Sequence, residues 1–239
     1  MQARILTCLP RALARVPGGI AALALAALLG CTVAQSLLLS AVPDGTASIL
    51  LSHLQGMEEG NRKQVAELEA RKDWDGIAKF AEDNLAKDRN SADWWFVAGY
   101  AHSEAGRHQR AVECYSETVR LAPDDMLGST SLAQSYRAIK QPQRAVQTLN
   151  NALRTRQGTP ATYFLLGESY ADLDRDLPAA AAYREAVQLD GKFASAWFGL
   201  GRAYARLGRK DDYEKALKTL STLDPALAKQ LAELRPGRR

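Results

Sequence analysis

A chain of 239 residues has room for one or two domains, and 46% hydrophobic residues is the share of a folded protein, not a disordered one. The net charge of +4 sits at the ends, with Arg4, Arg11 and Arg15 in an acid-free stretch over residues 1–31 and Arg235, Arg238 and Arg239 in the last five. The near-neutral remainder argues against nucleic acid as a partner, which needs a clustered basic face. Cys8 and Cys31 lie in the leader and Cys114 stands alone beyond it, which excludes an internal disulfide framework.

The N-terminal stretch comes first. Residues 1–19 are basic, and Ile20 to Leu29 is an unbroken apolar run. A positive segment followed by a short apolar one reads as an export signal, here assigned to residues 1–30. Leu28-Leu29-Gly30-Cys31 resembles a bacterial lipobox, which would make Cys31 the acylated first residue of the mature protein. Two other readings stand beside it. Residues 20–42 are long enough and apolar enough for an uncleaved membrane anchor, and a cleaved, soluble form is the third. All three place the rest of the chain in the bacterial envelope, on the periplasmic side.

Residues 31–57 form a linker. Pro43-Asp44-Gly45 is a turn signal, and Ile49, Leu50, Leu51 and Leu54 predict a short amphipathic helix over 47–57. Residues 58–91 carry two helical patterns. Val65 and Leu68 point inward from the first, and Ile77, Phe80, Ala81 and Leu85 from the second, with a turn at Lys72-Asp73-Trp74-Asp75.

From Ala92 the chain repeats itself. Trp95, Gly99, His102, Ala111, Tyr115, Thr118 and Pro123 recur 34 residues on as Ser129, Ala133, Tyr136, Ala145, Leu149, Ala152 and Gln157. The frame returns as Tyr163, Gly167, Tyr170, Ala179, Tyr183, Ala186 and Gly191, then as Trp197, Gly201, Tyr204, Tyr213, Leu217, Leu220 and Pro225. A fixed period of this length without gaps is the signature of a solenoid. Gly99, Ala133, Gly167 and Gly201 fall mid-helix, where glycine is unfavourable. Their smallness therefore predicts the close approach of a second helix, with Ala111, Ala145 and Ala179 facing them. Trp95, Tyr136 and Tyr183 are expected to fill the space between helix pairs.

The frame resembles that of the tetratricopeptide repeat family, whose unit is a 34-residue helix–turn–helix. The resemblance implies an all-α fold, a right-handed superhelical solenoid of antiparallel helix pairs. Four units follow, over 92–125, 126–159, 160–193 and 194–227. Residues 58–91 read as a degenerate first unit, and 226–239 as a capping helix with a basic tail.

No catalytic constellation stands out, and no cofactor or metal is expected. His102 takes a frame position and reads as a packed residue, His108 as an exposed one, and Cys114 as a small packed apolar residue. Asp172, Asp174 and Asp176 begin like a calcium loop, but Leu177 stands where that loop needs Gly and Tyr183 where it needs Glu. In the family the first helix of each unit lines a concave groove that takes extended or helical peptides. Carried over, those positions are Asp93, Phe96, Tyr100 and Glu104; Thr130, Gln134 and Arg137; Phe164, Glu168 and Asp172; and Phe198, Arg202 and Arg206. Phe96, Phe164 and Phe198 recur at one position and read either as binding anchors or as packing between units. Acids at one end and Arg202 and Arg206 at the other predict a charge gradient along the groove. The expectation is a non-enzymatic adaptor for a protein or peptide segment. The alternatives are a self-associating homodimer and an accessory subunit of an envelope enzyme complex.

Overall fold

The computed structural model describes Leu50 and residues 53–234. The chain divides into two units, Met1–Ser52 and His53–Arg239, and the helical array belongs to the second. Cys31 and all readings of the leader lie outside the described residues, as do most of the helix expected over 47–57 and the basic tail. A 3₁₀ turn, Leu54–Gly56, opens the second unit.

Eleven α-helices succeed it, and no strand occurs among the described residues. They are α1 (Glu59–Ala70), α2 (Trp74–Leu85), α3 (Ala92–Glu104), α4 (His108–Leu121), α5 (Met126–Ala138) and α6 (Pro142–Thr155). The series ends with α7 (Pro160–Ala171), α8 (Asp176–Leu189), α9 (Ala194–Arg206), α10 (Lys210–Leu223) and α11 (Pro225–Glu233). The first helices α3, α5, α7 and α9 begin 34 residues apart, and so do the second helices α2, α4, α6, α8 and α10.

The starts have local causes. Ser91, Asp125 and Thr159 cap α3, α5 and α7 with side-chain oxygens that accept from backbone N–H groups. Pro142, Pro160 and Pro225 occupy first positions, where a missing N–H is harmless. The turn inside each pair is set by one left-handed residue at Lys72, Gly106, Lys140, Asp174 and Gly208, again 34 apart. Residues 58–91 thus share the turn geometry of the other units although they lack most of the frame.

Glycine at 106 and 208 takes this conformation freely, whereas a side chain there costs about 1–2 kcal/mol. Lys140 has φ 59° and is exposed. Lys140→Gly is therefore expected to stabilise the protein by about 0.5–1 kcal/mol once the greater backbone freedom of unfolded glycine is subtracted. A urea melt checks it, and a lower midpoint would mean that the lysine side chain holds the turn.

Packing obeys one rule. Each second helix lies against the first helix of its own pair and the first helix of the next, while α3, α5, α7 and α9 also touch one another in series. The first helices therefore crowd together on the inner side, and the second helices lie outside them. What lies nearest two of the mid-helix glycines is a tyrosine ring. A Cβ at Gly99 would stand 2.8 Å from the Tyr115 ring, and one at Gly167 2.6 Å from the Tyr183 ring. These two glycines make room for a tyrosine of the second helix in their own unit, and Gly201 for Leu231; Ala111, Ala145 and Ala179 are buried as well.

Tyr183 reaches further, because a Cβ at Gly199 of the next unit would also stand 2.6 Å from its ring. Fully buried, it lies between two glycines of successive first helices. Trp95 reaches the unit before it through a hydrogen bond. It is part-exposed, and its indole N–H donates to Arg89 O at 2.9 Å, as Trp197 does to Gly191 O at 2.8 Å. The buried indole is its neighbour Trp94, edge-on to Phe80. α11 closes the stack against α9 and α10, with Leu231 pressed onto Gly201.

Candidate functional site: the face lined by the first helices

The inner face is built from positions one repeat apart on α3, α5, α7 and α9. Two series define it: Phe96, Thr130, Phe164 and Phe198, and Tyr100, Gln134, Glu168 and Arg202. The structure sorts them unequally.

Phe96 is 0% exposed, with the His53 ring stacked 3.9 Å from it and Tyr115 edge-on at 5.4 Å. It offers no surface, which corrects its reading as a groove anchor. The expectation failed because His53 lies outside the repeat frame. Phe164 is part-buried, packed on Tyr183 at 5.9 Å and Phe193 at 5.0 Å. Phe198 is part-buried too, under the Arg202 guanidinium at 5.9 Å. Gln134 is exposed between the two halves of the face.

Glu168 is the hub. Its Oε2 accepts from Arg137 Nη2 at 3.2 Å and its Oε1 from Arg202 Nη2 at 3.0 Å. The Tyr183 hydroxyl donates to the same Oε1. Arg137 also donates through Nε to Asp172 Oδ2 at 2.7 Å. Burial works against the Arg137 charge, but the Asp172 and Glu168 carboxylates outweigh it and raise its pKa. Burial, with Glu168 beside it, raises the Tyr183 pKa, so its hydroxyl stays a neutral donor.

The same logic runs along the stack. Tyr100 donates to Glu69 at 2.8 Å, and Arg107 pairs with Asp75. Arg206 reaches Asp174 at 3.2 Å and Asp176 at 3.4 Å. Apart from Tyr183–Glu168, which lies within one unit, each of these bonds joins a unit to the unit before or after it. The predicted charge gradient is therefore cancelled: Arg202 and Arg206 are neutralised by carboxylates of α7, the turn after it and the start of α8. Two of those carboxylates, Asp174 and Asp176, belong with Asp172 to the stretch that opens like a calcium loop. Sequence reasoning missed Tyr183 as a site residue, yet the small residues Gly167 and Gly199 that flank it were the available signal.

Glu168→Gln is expected to cost about 1–2 kcal/mol, because two part-buried guanidiniums lose the charge they share while most of the hydrogen bonds survive. Denaturant melts in low and high salt check this. A variant indistinguishable from the native chain in both would show that solvent already screens the pair.

The remaining titratable groups are packing elements. Burial pushes the Cys114 thiol up to about 12, as suits an inert buried cysteine. His102 has its pKa lowered by burial and then by Arg107, whose Nε donates to His102 Nδ1 at 3.0 Å. His108 is part-buried, not exposed as expected. Among the described residues no group of three or more His, Cys, Asp or Glu is placed to hold a metal ion, and no helix is long and apolar enough to cross a membrane.

A stack of helix pairs with one period, one turn geometry and an inner face of first helices defines a helical-repeat protein. The tetratricopeptide repeat profile matches residues 75–125, 130–192 and 175–228, and the chain belongs to that family. Among solved structures it resembles MamA, with a TM-score of 0.63 at 21% identity over 71% of this chain and 92% of that one. MamA from Desulfovibrio magneticus RS-1 gives 0.60 at 19% identity, over 79% and 98% of the two chains. YrrB, described as a tetratricopeptide repeat protein with an unusual peptide-binding site, gives 0.62 at 15% identity over 79% and 100%. At these identities the likeness is one of fold. Among curated proteins, none matches the chain.

Proposed function

We propose that this protein is a non-enzymatic adaptor that binds a protein or peptide segment on its inner face, between Gln134 and Phe198. The observation that carries this reading is the Arg137–Glu168–Arg202 network with Phe164 and Phe198 beside it. With Asp172 its charges are balanced, and its side chains are held by hydrogen bonds before any ligand arrives, which lowers the entropic cost of binding. Exposed Gln134 supplies an amide that donates to and accepts from a peptide backbone. The peptide-binding site ascribed to YrrB supports the use of such a fold for this purpose. The adaptor works in the bacterial envelope, with Cys31 as its lipid anchor or residues 20–42 as an uncleaved one; the basic and apolar pattern of the leader supports this part of the reading.

Crosslinked capture from envelopes tests the reading, with the native chain beside Phe164→Ala/Phe198→Ala. One set of partners lost in the variant, with helicity and melting close to native, supports the inner face. Identical capture by both removes it. A sedimentation run showing a tight dimer that buries Gln134 and Phe198 would replace the adaptor with self-association.

A further inference from the structure

The overall charge conceals an uneven distribution. Residues 126–159 contain no Asp or Glu and five cations, Arg137, Lys140, Arg144, Arg154 and Arg156. Arg137 is used by Glu168 and Asp172. The other four are exposed, and none forms an ion pair with a described residue.

Lys140 is the turn residue before α6, Arg144 and Arg154 lie on the helix, and Arg156 closes it. On α6, Arg144, Gln147, Asn151 and Arg154 succeed one another at spacings of three and four, which puts them on one outward face, and all four are exposed. The other second helices all carry acids: α4 and α10 pair theirs with cations, and α8, the next of them after α6, holds Asp176 and Glu185. On α4, Arg110 pairs with Glu113 and Arg120 with Glu117. At α10, Asp212 pairs with Arg209 and Lys215. α6 has no acid with which to do the same.

We propose that the outer face of α6 is a second docking surface, distinct from the inner face, for an Asp/Glu-rich segment of a protein partner. Three features select that occupant. Three of the four cations are arginines, whose forked donors match carboxylates. The positions between Arg144 and Arg154 are amides, Gln147 and Asn151, which hydrogen-bond an extended backbone. The face carries no exposed large apolar side chain, whereas a membrane surface would be gripped through such anchors. A helix of this length spans about 20 Å, enough for about six extended residues.

The test is fluorescence anisotropy of the full chain with a labelled peptide of alternating Glu and Ala. The native protein is expected to bind it, with affinity falling roughly tenfold from low to physiological salt. Arg144→Glu/Arg154→Glu should weaken binding at least tenfold, while Phe198→Ala leaves it unchanged. Because Arg144 also lies over the Tyr136 ring at 5.7 Å, Arg154→Glu/Arg156→Glu is the control that spares that packing and should weaken binding as well. Absence of binding by the native chain, or native-strength binding by the charge reversals, overturns the proposal. So does tighter binding to phosphatidylserine-rich vesicles through the same arginines, which would make the face a lipid contact. Loss of peptide binding in Phe198→Ala alone would assign it to the inner face.

Discussion

Tyr183→Ala is expected to lower stability by about 3–5 kcal/mol, the range for truncating a fully buried aromatic side chain. Its ring packs on Gly167, Gly199 and Phe164, and its hydroxyl donates to Glu168. The variant therefore opens a void at the seam between two units and withdraws one donor from the hub. A double-mutant cycle makes the argument sharper. Gly199→Ala in the native chain forces a Cβ to within 2.6 Å of the tyrosine ring, and overpacking of that kind costs about 1–3 kcal/mol. In the Tyr183→Ala background the same change meets empty space and should be stabilising by up to about 1 kcal/mol, the ordinary helical preference for alanine. Urea melts of the four proteins give the coupling. A cycle that closes to zero would mean that the ring and the glycine do not share the space assigned to them.

Leu231→Ala is expected to cost about 2–5 kcal/mol. Leu231 is fully buried against Gly201, and the Tyr213 hydroxyl donates to its carbonyl at 2.9 Å. α11 lies where a further repeat would otherwise stack, and Leu231 is its deepest residue. A solenoid needs a terminal element that covers its last apolar edge, so losing this side chain should loosen α9 and α10 first. Hydrogen exchange over 194–233 reads that directly. Native-like protection there would show that the last pair stands without its cap.

Much of this fold is readable in the sequence because the period is fixed. Adding 34 to one frame finds the helix pairs and turns, and Gly106 and Gly208 mark two turns by residue type alone. At Lys72 and Lys140 the period locates the turn but the residue type does not reveal its left-handed backbone, whereas Asp174 is of a type that tolerates it. The site was less readable. Arg202 and Arg206 look like free cations until their partners are sought one repeat earlier, at Glu168, Asp174 and Asp176. Phe96 looks like Phe164 and Phe198 because all three hold one frame position, and only His53 distinguishes it. Tyr183 was legible as a residue between helix pairs, and its ring does lie against Gly167 of its own unit and Gly199 of the next.

The seams also differ from one another in a way that bears on modularity. Where the central residue is Tyr183, its flanking positions are Gly167 and Gly199; where it is Leu149, they are Ala133 and Leu165. Tyr115 has Gly99 on one side and Ser131 on the other. Each large ring has small flanking residues, and the smaller Leu149 has the bulkier Leu165 beside it, so each centre is matched to its own flanks. Removing residues 126–159 would preserve the period and every turn, yet it would set Tyr115 against Leu165, where Ser131 now stands. Units of this array are thus not interchangeable parts. Their order is written into matched volumes, and a shortened or shuffled array would have to relearn its joints before it could stack.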